Sequence, residues 1–357
     1  MIPLDFCGVW VYLNIKEVII MKALVTLPKN ATFDTFFPKE IVDYVESLGD
    51  IVWNEYDRQL TTDEIKERIT DCDVYVTGWG SPALTGEILE CAPKLKLLTH
   101  VAGTVVPFVT DEMWQRGIRV ICGNDYFAES VAEGTIAYML SALRQIPKYS
   151  TQLKEKAIWA GANDPSDSLI YKKVGLVSYG AIAKHLVKKL QPFNVELLVY
   201  DIVDIPREDM ERYNFRQASL EEIFSECEIV SVHTPLNPHT HHLIGEGLFS
   251  LMREGSLFVN TSRGAVVDQK ALTKHLEQGK FNAMLDVLEK EPIDKDDPLL
   301  SLPNVLLMPH RGGPTINLRK VIAKAMLKES RDFVDEGIEL LEKDEITRER
   351  AVQMSKS

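Results

Sequence analysis

Short apolar segments alternate with amphipathic stretches along most of the chain. The short segments have the length of buried strands, and the intervening stretches have apolar residues at helical spacing. The predicted strands are Ala23–Leu27, Ile51–Trp53, Val74–Thr77, Leu95–Thr99, Lys173–Val177, Glu196–Tyr200, Ile229–Val232, Leu257–Asn260, Ala283–Val287 and Val305–Met308. Strands separated by helices are typical of doubly wound parallel sheets, so the pattern predicts an α/β fold.

Several of the intervening stretches contain residue types that commonly begin or end a helix, so their boundaries can be predicted. Asp268 is predicted to begin a helix that Gly279 ends. The longest helical pattern covers Ala128–Ile146, and the charged tail after Lys343 is predicted to be a solvated helix end. Two further pairs have the spacing of a capping box, which begins a helix: Thr61 with Glu64, and Ser219 with Glu222.

Residues 1–20 differ from the rest of the chain. The segment Gly8–Ile20 is apolar but contains Lys16 and Glu17, and it lacks the basic start and cleavage site of a signal peptide. It is also too short and too charged to span a bilayer. Because Met21 stands directly before the first predicted strand, we expect the functional chain to begin there, with residues 1–20 as an extension.

Composition narrows the class of protein. At roughly 150 residues per domain, a chain of 357 residues predicts two domains or one large α/β unit. The 53 acidic and 40 basic residues give a formal charge of −13, which argues against a nucleic-acid partner because phosphate contacts need a basic surface. Scattered cysteines without a Cys-x-x-Cys pair favour reduced thiols in the cytoplasm over disulfides or zinc. The cysteines are Cys7, Cys72, Cys91, Cys122 and Cys227.

The segment Val174–Ala183 combines a predicted strand, a turn and the start of a helix, as in a dinucleotide-binding site. The positions of the G-x-G-x-x-G/A fingerprint are Ser178, Gly180 and Ala183, so the middle glycine is kept and the first is replaced by serine. Asp201 ends the next predicted strand, where a carboxylate would bind the ribose hydroxyls of NAD. The alternative is that Asp201 only ends a strand. The predicted cofactor-binding residues here are Ser178, Tyr179, Gly180, Ala181, Ile182 and Asp201.

No arginine adjoins Asp201 to accept the 2′-phosphate of NADP. Ile202 and Val203 follow it instead, so the sequence favours NAD as the cofactor.

An arginine, an acidic turn and a histidine follow three successive predicted strands. Ligands bind at the carboxyl ends of strands in doubly wound sheets, so we expect these residues to converge. Histidine can move a proton near neutral pH, a carboxylate can favour its protonated form, and arginine can hold a substrate carboxylate. The residues are Arg263 and His310, with Glu289 or Glu291 as the carboxylate. Singly, each also fits a surface arginine, a solvated turn or a hydrogen-bonded loop histidine.

Three blocks of this region resemble the NAD-dependent D-isomer-specific 2-hydroxyacid dehydrogenases, a family that includes glycerate, phosphoglycerate and glyoxylate/hydroxypyruvate reductases. The resemblance extends from about Met21 to about Glu336. It implies that NADH reduces a 2-keto acid to a D-2-hydroxy acid, with Arg263, Glu291 and His310 as the catalytic set. Glu291 is preferred over Glu289 because the family has a Glu-Pro pair at this position. The blocks are Asn260–Asp268, Leu285–Pro292 and Pro309–Gly313.

The resemblance also implies ligand contacts. The segment Ala102–Phe108 stands where the family has a substrate loop of the form A-G-V-G-x-D-N, and backbone N–H groups of Gly103, Thr104 and Val105 are predicted to hold the substrate carboxylate. Trp79 is a candidate pocket wall, with core packing as the alternative. Further cofactor contacts are His233, Thr234, Pro235, Thr261, Ser262, Asp286 and Gly313. No metal site is predicted, because the nearby histidines lack a cysteine or carboxylate at ligand spacing: His233, His239, His241 and His242.

The family architecture implies two Rossmann-like domains, with the cofactor domain inserted into the substrate-binding domain. The substrate-binding domain is predicted at residues 21–123 plus 311–357, and the NAD-binding domain at 124–310. The resemblance implies a homodimer, and no membrane partner is expected. Two alternatives stay open: a non-catalytic NAD-sensing protein like the co-repressors of this family, and a formate dehydrogenase. Glu291 argues against the second, whose chemistry relies on a glutamine–histidine pair.

Overall fold

The computed structural model describes residues 20–356 except 162 and 164, and only the backbone of 353–356. It divides into two compact units. Unit 1 contains the described residues up to Gly123 together with Arg319–Thr347, and unit 2 contains Asn124–Leu318 and the residues from Arg348 onward. Unit 2 therefore includes residues 311–318 and 348–356, which the sequence analysis placed with the other domain. The predicted N-terminal extension lies outside the described residues except for its last residue.

Unit 1 is built on a parallel five-stranded sheet. Its strands are β1 Lys22–Val25, β2 Asp50–Trp53, β3 Val74–Thr77, β4 Leu97–His100 and β5 Arg119–Cys122. Its helices before Gly123 are α1 Ala31–Phe36, α2 Lys39–Glu46, α3 Thr62–Ile69, α4 Gly86–Glu90 and α5 Asp111–Gln115. The strand order is β2-β1-β3-β4-β5. Every residue of β3 and β4 is buried, as expected for strands covered on both faces.

Unit 2 is built on a parallel seven-stranded sheet in the order β12-β11-β10-β9-β6-β7-β8, and the prediction of two doubly wound parallel sheets is confirmed. Its strands are β6 Lys173–Val177, β7 Glu196–Tyr200, β8 Phe215–Gln217, β9 Ile229–Val232, β10 Leu257–Asn260, β11 Asn282–Leu285 and β12 Val305–Leu307. Its helices are α6 Asn124–Leu143, α7 Ile146–Lys156, α8 Ala181–Leu190, α9 Arg207–Arg212, α10 Leu220–Glu226, α11 Glu246–Leu251 and α12 Gln269–Glu277.

Two helices complete the chain, α13 Ile316–Glu336 and α14 Arg348–Lys356. Within the described ranges, no helix combines the length and the apolar composition that a bilayer crossing requires.

The capping predictions are confirmed. Both capping boxes are present at the starts of α3 and α10. The Asp268 side chain accepts a hydrogen bond from the backbone of Ala271 at the start of α12, and Gly279 adopts a left-handed φ of 70° just after its end. Such a φ is typical of glycine after a helix C-terminus.

Two strands were missed, and one predicted helix was wrong. The strands β5 and β8 were not predicted, because each is short and its apolar signal is interrupted by a charged or polar residue. The single helix predicted over Ala128–Ile146 is instead the end of α6 and the start of α7. The chain breaks at Gln145, which has a φ of 50°, and Pro147 lies in the first turn of α7, where proline favours a helix start.

The tail after Lys343 agrees only in part with the predicted solvated helix end: helix α14 begins at Arg348, and Arg348 and Glu349 are exposed, but residues 344–346 are not helical. Asp344 is fully buried, and its carbonyl accepts a hydrogen bond of 2.9 Å from the backbone of Cys122. The backbone of Ile346 donates to the carbonyl of Val120 at 2.9 Å, so residues 344–346 pair with the edge strand β5. The charged residues wrongly predicted a solvated segment, because the pairing with β5 is made by backbone groups and does not depend on the type of side chain.

Candidate active site

The turn after β10 presents Arg263, and the side chain of Asn260 fixes this turn. Asn260 is 1% exposed, and its Oδ1 accepts hydrogen bonds from the backbone N–H of Ser262 at 3.0 Å and from its hydroxyl at 2.9 Å. Its amide donates to the carbonyl of Arg263 at 3.1 Å. The exposed guanidinium of Arg263 donates to the carbonyl of Ser262 at 2.7 Å. Arg263 therefore lies on a turn whose backbone polar groups are hydrogen-bonded to the buried Asn260 side chain.

The acidic turn after β11 packs directly against this arginine turn. A Cβ atom on Gly264 would lie 1.9 Å from the carbonyl carbon of Leu288 and 2.3 Å from the backbone nitrogen of Glu289. Only glycine permits such an approach of two backbones. Within the acidic turn, Oε1 of Glu291 accepts a hydrogen bond of 3.0 Å from the backbone of Leu288. This bond holds the Glu291 carboxylate close to its own turn.

The structure brings Glu291 and His310 into direct contact. Oε2 of Glu291 lies 2.8 Å from Nδ1 of His310, a distance typical of a charge-assisted hydrogen bond. With Nδ1 donating to the carboxylate, Nε2 is the ring nitrogen that can give or take a proton. The His310 side chain is 51% exposed, and its Nε2 has no hydrogen-bond partner among the described residues.

The charges around Glu291 keep it ionised. Partial burial raises the pKa of Glu291, but the hydrogen bonds from His310 and the Leu288 backbone, together with the charges of His310 and Arg263, outweigh burial and lower it below its ordinary value. Arg263 thus acts on Glu291 through its charge, and we find no hydrogen bond from Arg263 to Glu291 or His310 among the described contacts.

Asp286 anchors the loop that carries His310. Its carboxylate is 2% exposed and accepts hydrogen bonds of 2.8 Å from the backbone of both Arg311 and Gly312. The hydroxyl of Tyr138 donates to it at 3.3 Å, and burial together with the Asp286 charge raises the pKa of Tyr138 to about 12. The Asp286 carbonyl also accepts from the backbone of His310 at 2.9 Å. Both carboxylate oxygens of this predicted cofactor residue are therefore bound within unit 2.

The turn between β6 and α8 keeps the shape of a dinucleotide-binding turn despite its serine. Ser178 has a φ of 84°, a left-handed conformation that glycine adopts at no steric cost. The carboxylate of Asp201 accepts a hydrogen bond of 2.7 Å from the backbone of Tyr179 and one of 3.2 Å from the backbone of Val203. Asp201 thus follows the last residue of β7, and its side chain also binds the backbone of the turn between β6 and α8.

The start of α8 fits the phosphate groups of a dinucleotide. A Cβ atom on Gly180 would meet nothing within 4 Å, so the backbone faces open space there. No side chain caps α8, and the N–H groups at its first turn, including those of Ala181 and Ile182, can donate to a phosphate oxygen. NAD is therefore compatible with the residues of this turn.

The other predicted cofactor residues lie near the ends of β9 and β10 with their side chains turned into unit 2. Four of these side chains are buried, each 6% exposed: His233, Thr234, Thr261 and Ser262. The ring of His233 contacts the Ser231 hydroxyl at 2.9 Å, and burial lowers its pKa to about 3. Thr261 contacts the Thr135 hydroxyl of α6 at 3.1 Å. Cofactor contacts from these four residues would therefore use their backbone. Pro235 is exposed and Gly313 is half-buried.

The predicted substrate residues lie in unit 1. Gly103, Thr104 and Val105 follow β4, and their backbone N–H groups donate no hydrogen bond to a described residue. Trp79 follows β3, is 46% exposed and lines a cleft of about 360 Å³. Its ring contacts the ring of Phe36 with centroids 5.3 Å apart. The described lining of this cleft does not include Gly103, Thr104 or Val105, so both interpretations of Trp79 stay open.

Sequence reasoning missed three residues that organise the site. Asn260 was read only as a strand end, although a buried asparagine beside a turn is a signal for side-chain-to-backbone hydrogen bonds. Gly264 was read as part of a motif, without its backbone contact. Tyr138 lies on a helix far from His310 in sequence, and nothing in the sequence connects it to Asp286.

Comparison with known proteins agrees with this geometry. Residues 136–312 match the family described as D-isomer specific 2-hydroxyacid dehydrogenase, NAD binding domain. A glyoxylate reductase of Korarchaeum cryptofilum is 36% identical over 266 residues, which are 73% of this chain and 79% of that protein. A D-3-phosphoglycerate dehydrogenase of Methanocaldococcus jannaschii is 32% identical over 306 residues, 84% of this chain. The chain spans only 57% of the length of that second relative.

A solved structure shares the fold. The crystal structure of a phosphoglycerate oxidoreductase from Rhizobium etli matches with a TM-score of 0.78 and 27% identity, over 92% of this chain and 99% of that one. The fold and these matches define an NAD-binding oxidoreductase. The chain belongs to the D-isomer specific 2-hydroxyacid dehydrogenase family, which confirms the resemblance, the NAD cofactor and the enzyme class predicted from the sequence.

Proposed function

We propose that this enzyme reduces a 2-keto acid to the corresponding D-2-hydroxy acid. NADH supplies the hydride to the carbonyl carbon when it is bound. The residues of the chain bind the substrate, deliver a proton to the carbonyl oxygen and stabilise the charge that develops there. Relatives named glyoxylate reductase make short 2-keto acids the first substrates to test.

In this proposal His310 donates the proton from Nε2. The hydrogen bond from Nδ1 to Glu291 orients the ring and favours the imidazolium form before proton transfer. In the opposite direction the same nitrogen accepts the proton from the hydroxyl group. Glu291 stays ionised throughout, because its pKa lies below its ordinary value.

Arg263 binds the substrate carboxylate and carbonyl oxygen. Its guanidinium can form two parallel hydrogen bonds to planar oxygen pairs, and it stabilises negative charge on the carbonyl oxygen in the transition state. In unit 1, the backbone N–H groups of Gly103, Thr104 and Val105 have no acceptor among the described residues, and we infer that they can donate hydrogen bonds to a carboxylate.

The single observation that carries the proposal is the 2.8 Å contact between Glu291 and His310. If His310 were only a surface histidine and the acidic turn only a solvated loop, no contact between them would be expected. Their contact at the ends of adjacent parallel strands is what proton transfer to a ligand at this edge of the sheet requires.

We also propose a cytoplasmic homodimer. None of the described cysteines forms a disulfide, which supports a reducing compartment. Apolar side chains on and after α7 are exposed, with Ile146 at 54%, Leu153 at 48% and Trp159 at 84%. Large exposed apolar side chains along one segment favour an interface with another chain, and a second copy of this chain is the partner we expect.

A panel of 2-keto acids tests the proposed activity. Glyoxylate, hydroxypyruvate, pyruvate and a bulkier analogue are each mixed with the enzyme and NADH, and NADH absorbance is followed. We expect at least one substrate to consume NADH and chiral analysis to find the D product. If no substrate is reduced although NADH binds, the proposal is wrong and the NAD-sensing alternative is favoured. An L product contradicts the proposed stereochemistry.

A further inference from the structure

Glu289, two residues before Glu291, forms an ion pair outside the proposed catalytic set. Its carboxylate contacts Nε2 of His242, and the two side chains are 32% and 41% exposed. The backbone N–H of Glu289 donates to the side chain of Gln269 at 3.0 Å, and Gln269 is the first residue of α12. The acidic turn is therefore held by contacts from a loop on one side and a helix on the other.

His242 contacts both segments that carry the proposed catalytic residues. Its imidazole binds Glu289 in the acidic turn, and its backbone N–H donates to the carbonyl of Ala265 at 2.9 Å. Ala265 lies two residues after Arg263. The φ of His242 is 52°, a left-handed conformation that residues with a Cβ atom rarely adopt. His242 thus connects the arginine turn to the acidic turn.

The backbone contact at Gly264 leaves these turns little room for separate movement. Gly264 touches Leu288 and Glu289 without space for a Cβ atom, so it sets the distance between the turns. The His242–Glu289 ion pair and the hydrogen bond from the Glu289 backbone to Gln269 add contacts at two sides of the acidic turn.

We propose that His242 and Glu289 are positioning residues for the reduction, and that their ion pair holds the acidic turn so that Glu291 stays on Nδ1 of His310. This inference rests on the proposed function for its effect on turnover. It assigns the two glutamates of the turn different roles: Glu291 contacts the proton donor, and Glu289 contacts the loop that keeps Glu291 in place.

The other charged groups near the pair do not replace it. The ring of His241 stacks on His242 with centroids 4.0 Å apart and makes no ion pair with Glu289 among the described residues. Lys290 lies between the two glutamates in sequence but pairs with Asp294 at 2.6 Å. An exposed ion pair contributes little to global stability, so the expected effect of removing it is local.

His242→Gln and Glu289→Gln test the proposal, with His241→Gln as the matched control in the same loop. We expect each test variant to lower kcat roughly tenfold, the scale of a lost positioning contact, with the KM for NADH within about twofold. Because a looser Glu291 favours the imidazolium less, the pH profile of kcat should lose activity at a lower pH. The double variant should be no worse than the worse single one, since both remove one interaction.

The pKa of the His310 ring, measured by NMR titration, separates this proposal from the proposed function. A lower pKa of His310 in both variants but not in His241→Gln supports the positioning role, even if no keto acid is reduced by the unaltered enzyme. Unchanged His310 titration with unchanged kcat overturns it and makes the pair a surface contact. A loss of activity with unchanged His310 titration also overturns it.

Discussion

Arg263 and His310 are the residues whose removal should separate chemistry from cofactor binding. We expect Arg263→Ala and His310→Ala each to lower kcat by about 10²–10⁴, the usual range for loss of a general acid or of transition-state charge stabilisation. NADH affinity should persist, because the turn at Gly180 and Asp201 is untouched. Steady-state kinetics and NADH fluorescence titration measure the two quantities.

Arg253→Ala is the control for these variants. Arg253 is exposed, and its guanidinium donates to the carbonyl of Glu226, so activity should be retained. Turnover like that of the unaltered enzyme in either Arg263→Ala or His310→Ala would refute the assignment of the site.

At the scale of single residues, the sequence predicted which residue types form the site better than it predicted which of them contact one another. Spacing did not distinguish Glu289 from Glu291, and the structure separates them: Glu291 contacts His310, whereas Glu289 contacts His242. The difference depends on how the turn folds back on Leu288, which neither periodicity nor spacing encodes. The convergence of Glu291 and His310 was predictable because both follow parallel strands; their catalytic roles remain predictions.

At the scale of elements, the buried strands were the easiest to predict. Five of them have the predicted bounds: Val74–Thr77, Lys173–Val177, Glu196–Tyr200, Ile229–Val232 and Leu257–Asn260. Such strands are continuous apolar runs, since both faces of a parallel sheet are covered. The edge strands β5 and β8 carry weaker apolar signals, and the break between α6 and α7 depends on one left-handed residue, Gln145.

The C-terminal segment that pairs with β5 also brings two carboxyl groups together. Burial raises the pKa of Glu329 to about 7, and the neighbouring Asp344 adds to the shift, although the backbone N–H of Leu341 donates to Glu329 at 2.7 Å. Below pH 7 the folded protein holds a proton on Glu329 that the unfolded chain releases at about pH 4.5. The free energy of unfolding therefore falls as pH rises between these values.

Glu329→Gln should remove this pH dependence. Gln keeps an acceptor for the Leu341 backbone and carries no charge beside Asp344. We expect the variant to melt about 2–4 °C above the unaltered protein at pH 8, which corresponds to about 1 kcal/mol after allowance for solvent screening. The difference should vanish at pH 4.5. Exposed Glu90→Gln is the control, and equal melting temperatures at pH 8 would contradict the prediction.

At the scale of the whole molecule, the exposed apolar side chains around α7 bear on assembly. Trp159→Glu places a charge on the proposed homodimer face, and we expect it to convert dimers to monomers in sedimentation-velocity experiments. Leu300→Glu is the control, because Leu300 is 51% exposed on a different part of unit 2. A monomer for the unaltered chain at micromolar concentration would refute the proposed homodimer.

The discontinuity of unit 1 has a consequence for the order in which the protein forms during synthesis. The hydroxyl of Thr99 bonds to that of Ser330 across 231 residues of sequence, and the side chains that complete this core include Ile322 and Met326. Most of unit 2 is contiguous from Asn124 to Leu318. On the ribosome, unit 2 can therefore build most of its sheet while unit 1 still lacks α13 and the segment that covers β5. Unit 1 is therefore begun before unit 2 and completed only after the unit 2 sheet has emerged, so the apolar surface that residues 319–347 cover stays exposed until they are synthesised.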